Sequence, residues 1–334
     1  MSRLSMVLPN LTPDEGGAAS ALLPLGGLIV IHDAAGCLEN YILFDEPRWF
    51  GSDAMLYTSR LSQMEAILGG DEQLVSGITE AAEKMQPKFI AIIGSPVPAL
   101  IGMDLDSTAM IVEAETGIPS FAVNTSGFYS YEKGVEEALI KYTERMGKPG
   151  NIIGYTPLDL ETMPENPTNK NLVVSAAGIE AAKLTGEDFV IGIPLGEKQK
   201  EKLCGREVVP AEKTDTRCLV IGEPVYAMSL AEALSLEYGW DCSAASLTKA
   251  PEELGVRYLP DEDAVERILA EQYDVLIADP LFEHFGIHSG CFAKIPHHAL
   301  SSDLFTPIYN KDENLCGNIK AFYDIWRNNN EEND

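Results

Sequence analysis

What the chain has little of narrows it first. Its six cysteines, Cys37, Cys204, Cys218, Cys242, Cys291 and Cys316, form no CxxC pair, which suits a reducing compartment, the cytoplasm, better than a secreted disulfide framework. Basic residues are scarce: 24 Lys and Arg against 52 Asp and Glu leave a net charge of -28. Such a field repels phosphate backbones and anionic lipid surfaces, so nucleic acid and membrane are not expected partners, while basic or metal-bearing ones are favoured. Neither GxGxxG nor GxxxxGK[ST] occurs, which argues against a nucleotide bound by this chain itself. The apolar run AASALLPLGGLIVI from Ala18 follows an acidic segment and is broken by Pro24, Gly26 and Gly27, so neither a signal peptide nor a membrane span fits it.

What is there is a regular alternation. The 334 residues suggest roughly two to three α/β units, enough to bury a core without disulfides. Thr12 reads as an N-cap with Pro13 as the first helical residue and Asp14 and Glu15 in the first turn. The segment Asp71 to Gln86 carries Leu74, Val75, Ile78, Ala81, Ala82 and Met85 at helical spacing. Further helices are expected around Asp106 to Glu115, Tyr131 to Met146, Ala177 to Leu184 and Val225 to Tyr238. Between them lie the apolar runs GLIVI, FIAIIG, SFAVN, NIIGY, NLVVS, FVIGI, RCLVIGEP and DVLIADP. Strands apolar on both faces predict parallel sheets covered on both sides, a doubly wound α/β fold of two to three Rossmann-like domains. The expected division is 1–148, a reduced middle domain 149–212, and 213–334 with a His-rich loop and a polar, frayed tail.

In open parallel sheets ligands lie beyond the carboxyl ends of the strands. Those ends read HDAAGC from His32, GSPVPALIG from Gly94, NTSGFYSY from Asn124, GEPVYA from Gly222 and ADPLFEHFGIHSGC from Ala278. Ser95, Asn124, Thr125, Glu223 and Asp279 are therefore candidate crevice residues. Pro96, Pro98, Pro224 and Pro280 read as turn-fixing residues after strand ends. The segment DEPRWFGS is either an ordinary loop with a solvated ion pair or a docking edge, with Arg48 meeting a carboxylate and Trp49 covering an aromatic face. His284, His288, His297 and His298 lie near Cys291, an inventory capable of holding a metal or of ordinary loop hydrogen bonding. Gly286 and Gly290 work against a helix that would align the first two.

The ordered segments GGLIVIHDAAGC, FDEPRWFGSDAML, MEAILGGDEQLVSGI, FIAIIGSPVPALIGMDL and IPSFAVNTSGF, continued by NIIGY, DVLIADPLFEHFGI and IPHHALSS, resemble the nitrogenase component 1 family. That family includes nitrogenase molybdenum-iron protein subunits, their cofactor-assembly scaffolds and the dark-operative tetrapyrrole reductases. The resemblance implies pairing with a homologous subunit or a second copy, and electrons from a separate ATP-dependent iron-sulfur reductase. It also implies an iron-sulfur cluster shared at the subunit interface. Cys37, after Gly36, matches the first cluster cysteine. The second and third are expected near Leu56 to Thr58 and near Pro96, where this chain has none. That departure speaks against dinitrogen reduction and leaves a partner, or Asp33 and His32, to complete the ligand set, as a carboxylate does in one tetrapyrrole-reductase relative. On base rates a cysteine in such a turn is a small buried filler. The resemblance further implies that His297 or His298 faces a cofactor cleft. Two functions follow as expectations: a redox subunit passing electrons to a cleft-bound substrate, or a non-redox scaffold for a metal complex or cofactor precursor. Neither names a substrate.

Overall fold

The structure, a computed structural model, describes residues 5–34, 46, 48, 55–160, 162–286, 290–302, 315 and 317–331. The described chain divides into two compact units: an N-terminal unit, residues 11–155 and 177–187, and a C-terminal unit, residues 1–10, 156–176 and 188–334. Residues 149–212 are shared between the two.

The N-terminal unit is built on four strands, β1 (Leu28–Ile31), β2 (Met55–Thr58), β3 (Ile90–Ile93) and β4 (Ser120–Val123), in the order β2-β1-β3-β4. All pair in parallel, with Leu28 opposite Met55 and Ile90, and Ile90 opposite Ser120. Every residue of β1, β3 and β4 is buried, as expected for strands covered on both faces. One face packs Leu28, Val30, Ile90 and Ile92 against Leu74, Val75 and Ile78 of α3 (Asp71–Met85) and Leu105 and Val112 of α5 (Leu105–Thr116). Burying side chains of this size is worth roughly 1.5–3 kcal/mol each, so Ile92→Ala, at the sheet centre, would cost about 2–5 kcal/mol. Met85, on the same spacing, instead ends the helix 40% exposed. Between β2 and α3 lies α2 (Gln63–Leu68), closed at its start by a reciprocal Ser62–Glu65 capping box.

The opposite face carries α1 (Asp14–Leu22) and α6 (Tyr131–Met146), which pack together, and α7 (Ile179–Leu184) against α6. Two glycines set how close α1 and α6 come. A Cβ on Gly17 would sit 1.9 Å from the Tyr131 carbonyl oxygen, and one on Gly134 would sit 1.8 Å from that of Asp14. The predicted Thr12 N-cap is not observed. Pro13 is the N-cap, extended at φ -77 and ψ 178, because its backbone bridges antiparallel to Ser130; the helix therefore starts one residue later, at Asp14.

In the C-terminal unit β6 (Asn171–Val173) and β7 (Phe189–Ile191) pair in parallel, after the two-residue strand β5 (Ile152–Ile153) of the other unit. Its main sheet has β8 (Arg217–Ile221), β9 (Asp241–Ser246), β10 (Arg257–Tyr258), β11 (Val275–Ala278) and β12 (Cys291–Lys294) in the parallel order β10-β9-β8-β11-β12. Leu219, Ile221 and Leu276 pack on Val265 and Ile268 of α10 (Glu262–Leu269). Helix α9 (Pro224–Tyr238) also packs on this sheet, and α8 (Glu197–Leu203) packs on α9. Of the tail expected to fray, residues 328–331 belong to α11 (Ile319–Glu331), and 332–334 lie outside the described residues. Strand-end prolines do more than fix turns: Pro96 opens α4 (Pro96–Ile101), Pro224 opens α9, and Pro280 opens a 3-10 turn. At the first helical position the missing N–H is one that no helix pairs anyway. That 3-10 turn holds His284 and stops at Gly286, φ 63; His288 lies outside the described residues.

Candidate functional site

The chain leaves β1 for β2 on one side and returns to β3 on the other, so the topological switch point of the N-terminal unit falls between β1 and β3. Local hydrogen bonds lock these strand ends together. The His32 N–H donates to the Ile93 carbonyl (2.9 Å) and the buried Ser95 hydroxyl donates to the His32 carbonyl (2.8 Å). The Thr125 hydroxyl donates to the Gly94 carbonyl at 2.6 Å. The Asp33 N–H donates to Ser59 Oγ at 3.2 Å, its carbonyl accepts from the Leu61 N–H at 2.7 Å, and its Oδ1 accepts from the Ala34 N–H at 2.7 Å.

His32 continues the face of Leu28 and Val30, since side chains alternate along a strand. It is 2% exposed, yet neither Nδ1 nor Nε2 has a hydrogen-bond partner. Burial pushes its pKa below 6.5, against the opposing pull of Asp33, Asp71 and Glu65, so the ring is neutral and able to offer a lone pair. His32 helps line a cleft of about 140 Å³ with Tyr57, Thr58, Ser59, Glu65 and Gln73. That is well below the roughly 300–1,000 Å³ of pockets for drug-sized ligands. The space suits an ion, or one edge of a larger group.

Asp33 points to the other face, where the close approach of α1 to α6 brings two more carboxylates. Asp14, 1% exposed, accepts from the Ser126 and Gly127 N–H groups at 2.9 and 2.7 Å. Glu15 Oε2 is buried and unpartnered. Burial pushes the Glu15 carboxyl up to about 7; a backbone hydrogen bond opposes this, and the nearby charges of Asp14 and Asp33 add to it. By position alone, Asp14 and Glu15 read as ordinary first-turn acids. The signal for closer packing was the Gly16–Gly17 pair beside them.

The C-terminal unit has its own switch point, between β8 and β11. There the predicted Glu223 caps α9, accepting from the Ala176 and Tyr226 N–H groups at 2.6 and 2.9 Å. Asp279 accepts from the Leu281, His297 and Ser301 N–H groups and from the Ser301 hydroxyl (2.7 Å). His297 Nδ1 accepts from the Ala299 N–H at 3.0 Å, and burial, with His298 adding, pushes its pKa down to about 3. His298 is 1% exposed, its ring 6.5 Å from that of His297.

The predicted residues thus form two groups. His32, Asp33, Ser95 and Thr125 gather in one unit; Glu223, Asp279, His297 and His298 gather in the other. Asn124 is apart from both, exposed, with Nδ2 donating to Asp106 at 2.8 Å. Arg48 does meet a carboxylate, but that of Glu46 in its own loop: Nε and Nη2 each lie 2.7 Å from a Glu46 oxygen, and Glu46 is 0% exposed rather than solvated. Gly36, Cys37 and Trp49 lie outside the described residues. Among the described residues no three His, Cys, Asp or Glu side chains are arranged to hold a metal ion. The described cysteines, Cys204, Cys218, Cys242 and Cys291, all belong to the C-terminal unit. At the two positions where further cluster thiols were expected stand β2 and the first turn of α4. The described residues therefore do not make an iron-sulfur site.

A family model described as nitrogenase component 1 type oxidoreductase matches residues 15–182, half of the chain. Among curated proteins, the nitrogenase iron-molybdenum cofactor biosynthesis protein NifE of Klebsiella pneumoniae is 27% identical over 119 residues, 34% of this chain and 26% of its own length. The nitrogenase molybdenum-iron protein beta chain of Methanothermobacter thermautotrophicus is 26% identical over 115 residues, 34% of this chain and 25% of its own. The match spans about a quarter of each of these relatives. A solved structure of nitrogenase Cp1 at pH 6.5 superposes with a TM-score of 0.62 at 15% identity, covering 97% of this chain and 93% of that one. The α/β, parallel-sheet architecture is the nitrogenase component 1 fold.

Proposed function

This chain belongs to the nitrogenase component 1 type oxidoreductase family, and from that premise we propose that it is a binding or scaffold member, holding a metal complex or cofactor precursor at the switch point of its N-terminal unit. The observation that carries the reading is His32. A buried imidazole with both nitrogens unpartnered forfeits roughly 1–3 kcal/mol per unsatisfied group, and a neutral ring beside a small cleft recovers that by binding a cation or a donor. Asp33, the next residue, turns to the opposite face beside Glu15 and does not line this cleft, so the reading rests on His32. Relatives named as iron-molybdenum cofactor biosynthesis proteins support a holding role. In this reading the chain works in the cytoplasm and pairs with a homologous subunit or a second copy.

A second reading, a redox subunit fed by an ATP-dependent iron-sulfur reductase, is favoured by the place of Cys37 four residues after Asp33. It requires a partner to supply the other cluster ligands, because the described residues do not.

One experiment separates the two. The full chain is purified without oxygen, alone and with its co-purifying subunit, and assayed for iron, sulfide and visible absorption; it is then titrated with Co²⁺. The scaffold reading expects a colourless protein that binds Co²⁺ with a visible band lost in His32→Ala. A brown protein whose iron and sulfide disappear in Cys37→Ala overturns it in favour of the redox subunit. A colourless protein whose Co²⁺ binding is the same in His32→Ala overturns the role given to His32.

A further inference from the structure

Far from the switch points, the C-terminal sheet carries an unusual row. The parallel register sets Cys218 of β8 directly opposite Cys242 of β9, and Val275 of β11 between Cys218 and Cys291 of β12. In-register residues of a parallel pair project to one face, with backbones about 4.8 Å apart, inside the roughly 4.4–6.8 Å that a disulfide spans between Cα atoms. Both thiols are free. Cys218 is fully buried, while Cys242 is half-buried and lines a cleft of about 360 Å³ with Met228, Ser243, Arg257, Glu271 and Tyr273. The cleft exists because β10 pairs only with Ala245 and Ser246, leaving the edge of β9 open beside Cys242.

We propose that Cys242 and Cys218 form an oxidant-responsive dithiol, in which Cys242 is the sulfur that meets a hydroperoxide in the cleft and Cys218 closes a disulfide across β8 and β9. The inventory is asymmetric in the way such a pair requires. The neighbouring Cys218 thiol, as hydrogen-bond partner, holds Cys242 below the ordinary thiol range, helped by Ser235 and opposed by burial. Burial, with Cys242 adding, pushes Cys218 well above it. The thiolate therefore forms on the sulfur that faces the cleft, and a thiolate is the nucleophile.

In the first step the Cys242 sulfur attacks one peroxide oxygen. An S–O bond forms, the O–O bond breaks, the sulfur loses two electrons, and the second oxygen leaves as water after protonation. In the second step the Cys218 sulfur attacks Cys242. The S–S bond forms, the S–O bond breaks, and the departing hydroxide takes the Cys218 proton as a second water. One peroxide and two thiols become one disulfide and two waters. A bridge between neighbouring strands of one sheet draws their Cβ atoms closer than the sheet spacing sets them, and strained disulfides are the readily reduced ones. The pair is thus a reversible switch suited to a compartment where disulfides are transient.

Trypsin cuts after Arg217 and Lys249 and leaves both cysteines on one peptide. The reduced full chain is treated with equimolar hydrogen peroxide, alkylated, digested and weighed by mass spectrometry. The expected result is loss of two hydrogens from that peptide, with alkylation blocked at both sulfurs until reduction, while Cys204 and Cys291 remain alkylated. Oxidation of Met228 on the same peptide would add an oxygen and is read separately. In Cys218→Ala, Cys242 should stop at sulfenic acid and be trapped by a cyclic 1,3-diketone; in Cys242→Ser, Cys218 should stay reduced. The proposal is overturned if, in wild type, Cys218 stays alkylated while Cys242 is oxidised, if Cys291 rather than Cys218 pairs with Cys242, or if Cys204 reacts as readily as Cys242.

Discussion

Replacing Asp159 by Asn should change how stability depends on pH, and the size follows from the structure. Asp159 is 0% exposed in the C-terminal unit; Oδ2 accepts from the Tyr226 hydroxyl at 2.6 Å and Oδ1 has no partner. Burial pushes the carboxyl from 3.8 up to about 7, against the pull of the Tyr226 hydroxyl and backbone N–H groups. The folded chain therefore keeps a proton that the unfolded chain releases above about pH 4. Stability from this group is full below that pH and is lost as pH rises towards about 7, at about 1.4 kcal/mol per pH unit and roughly 4 kcal/mol in all as an upper figure. Asn has nearly the same volume, keeps an acceptor for Tyr226 and carries no proton to lose. Urea unfolding followed by the fluorescence of Trp240 and Trp326, both in this unit, should show the variant gaining on wild type from about pH 4 and levelling off above about pH 7. Parallel profiles, or a gap that widens towards acid, would refute the reasoning.

Three other perturbations follow from named contacts. Gly134→Ala puts a Cβ 1.8 Å from the Asp14 carbonyl oxygen and should cost at least about 1–3 kcal/mol, whereas Gly77→Ala, in α3 with nothing within 4 Å, should stabilise by about 0.5–1 kcal/mol; thermal melts compare the two. Asp279→Ala strips the acceptor from four donors at the C-terminal strand ends and should lower stability by at least about 1–3 kcal/mol, read as a lower urea midpoint with an unchanged slope. His297, held down to about 3 in the folded chain, binds its proton only when unfolded, so its contribution is present above about pH 6.5 and drains away as pH falls. His297→Gln should flatten the acid limb of a urea-midpoint profile, and an unchanged limb would show the imidazole is not titrating there.

The sheet was legible where strands are apolar on both faces: GLIVI, FIAIIG and SFAVN became β1, β3 and β4, and Tyr131–Met146 became α6 between Ser130 and Gly147. The part-buried strands were not, for a physical reason. β2 (MLYT), β9 (DCSAAS) and β12 (CFAK) are only part-buried and carry polar residues, so they lack the continuous apolar signal of a central strand. At the site, Asp33, Ser95 and Thr125 could be read because position at a strand end is visible in sequence. The vacancy at His32 could not, because it depends on which donors arrive from β2, α2 and α3. The cysteine row was equally hidden: Cys218, Cys242 and Cys291 are far apart in sequence, and only sheet register sets Cys218 opposite Cys242 and Cys291 one strand further on, beyond Val275.

The two switch points of this chain use their polar residues in opposite ways, and the contrast yields a last prediction. In the C-terminal unit, Glu223 and Asp279 accept backbone N–H groups of the segments that follow β6, β8, β11 and β12; they are pins, and the fold requires them. In the N-terminal unit the equivalent pinning is done by Ser95, Thr125 and Asp14, while the buried ring of His32 holds nothing. A polar group that the fold does not need lowers stability, and a chain that keeps one has set stability against function. His32→Leu, a side chain of similar bulk on the face shared with Leu28 and Val30, should therefore raise the melting temperature of the ligand-free chain, by an amount set by roughly 1–3 kcal/mol of relieved desolvation, while abolishing Co²⁺ binding. A variant that melts lower than wild type would mean that the imidazole is already satisfied in the folded chain, and the site would lose its strongest claim.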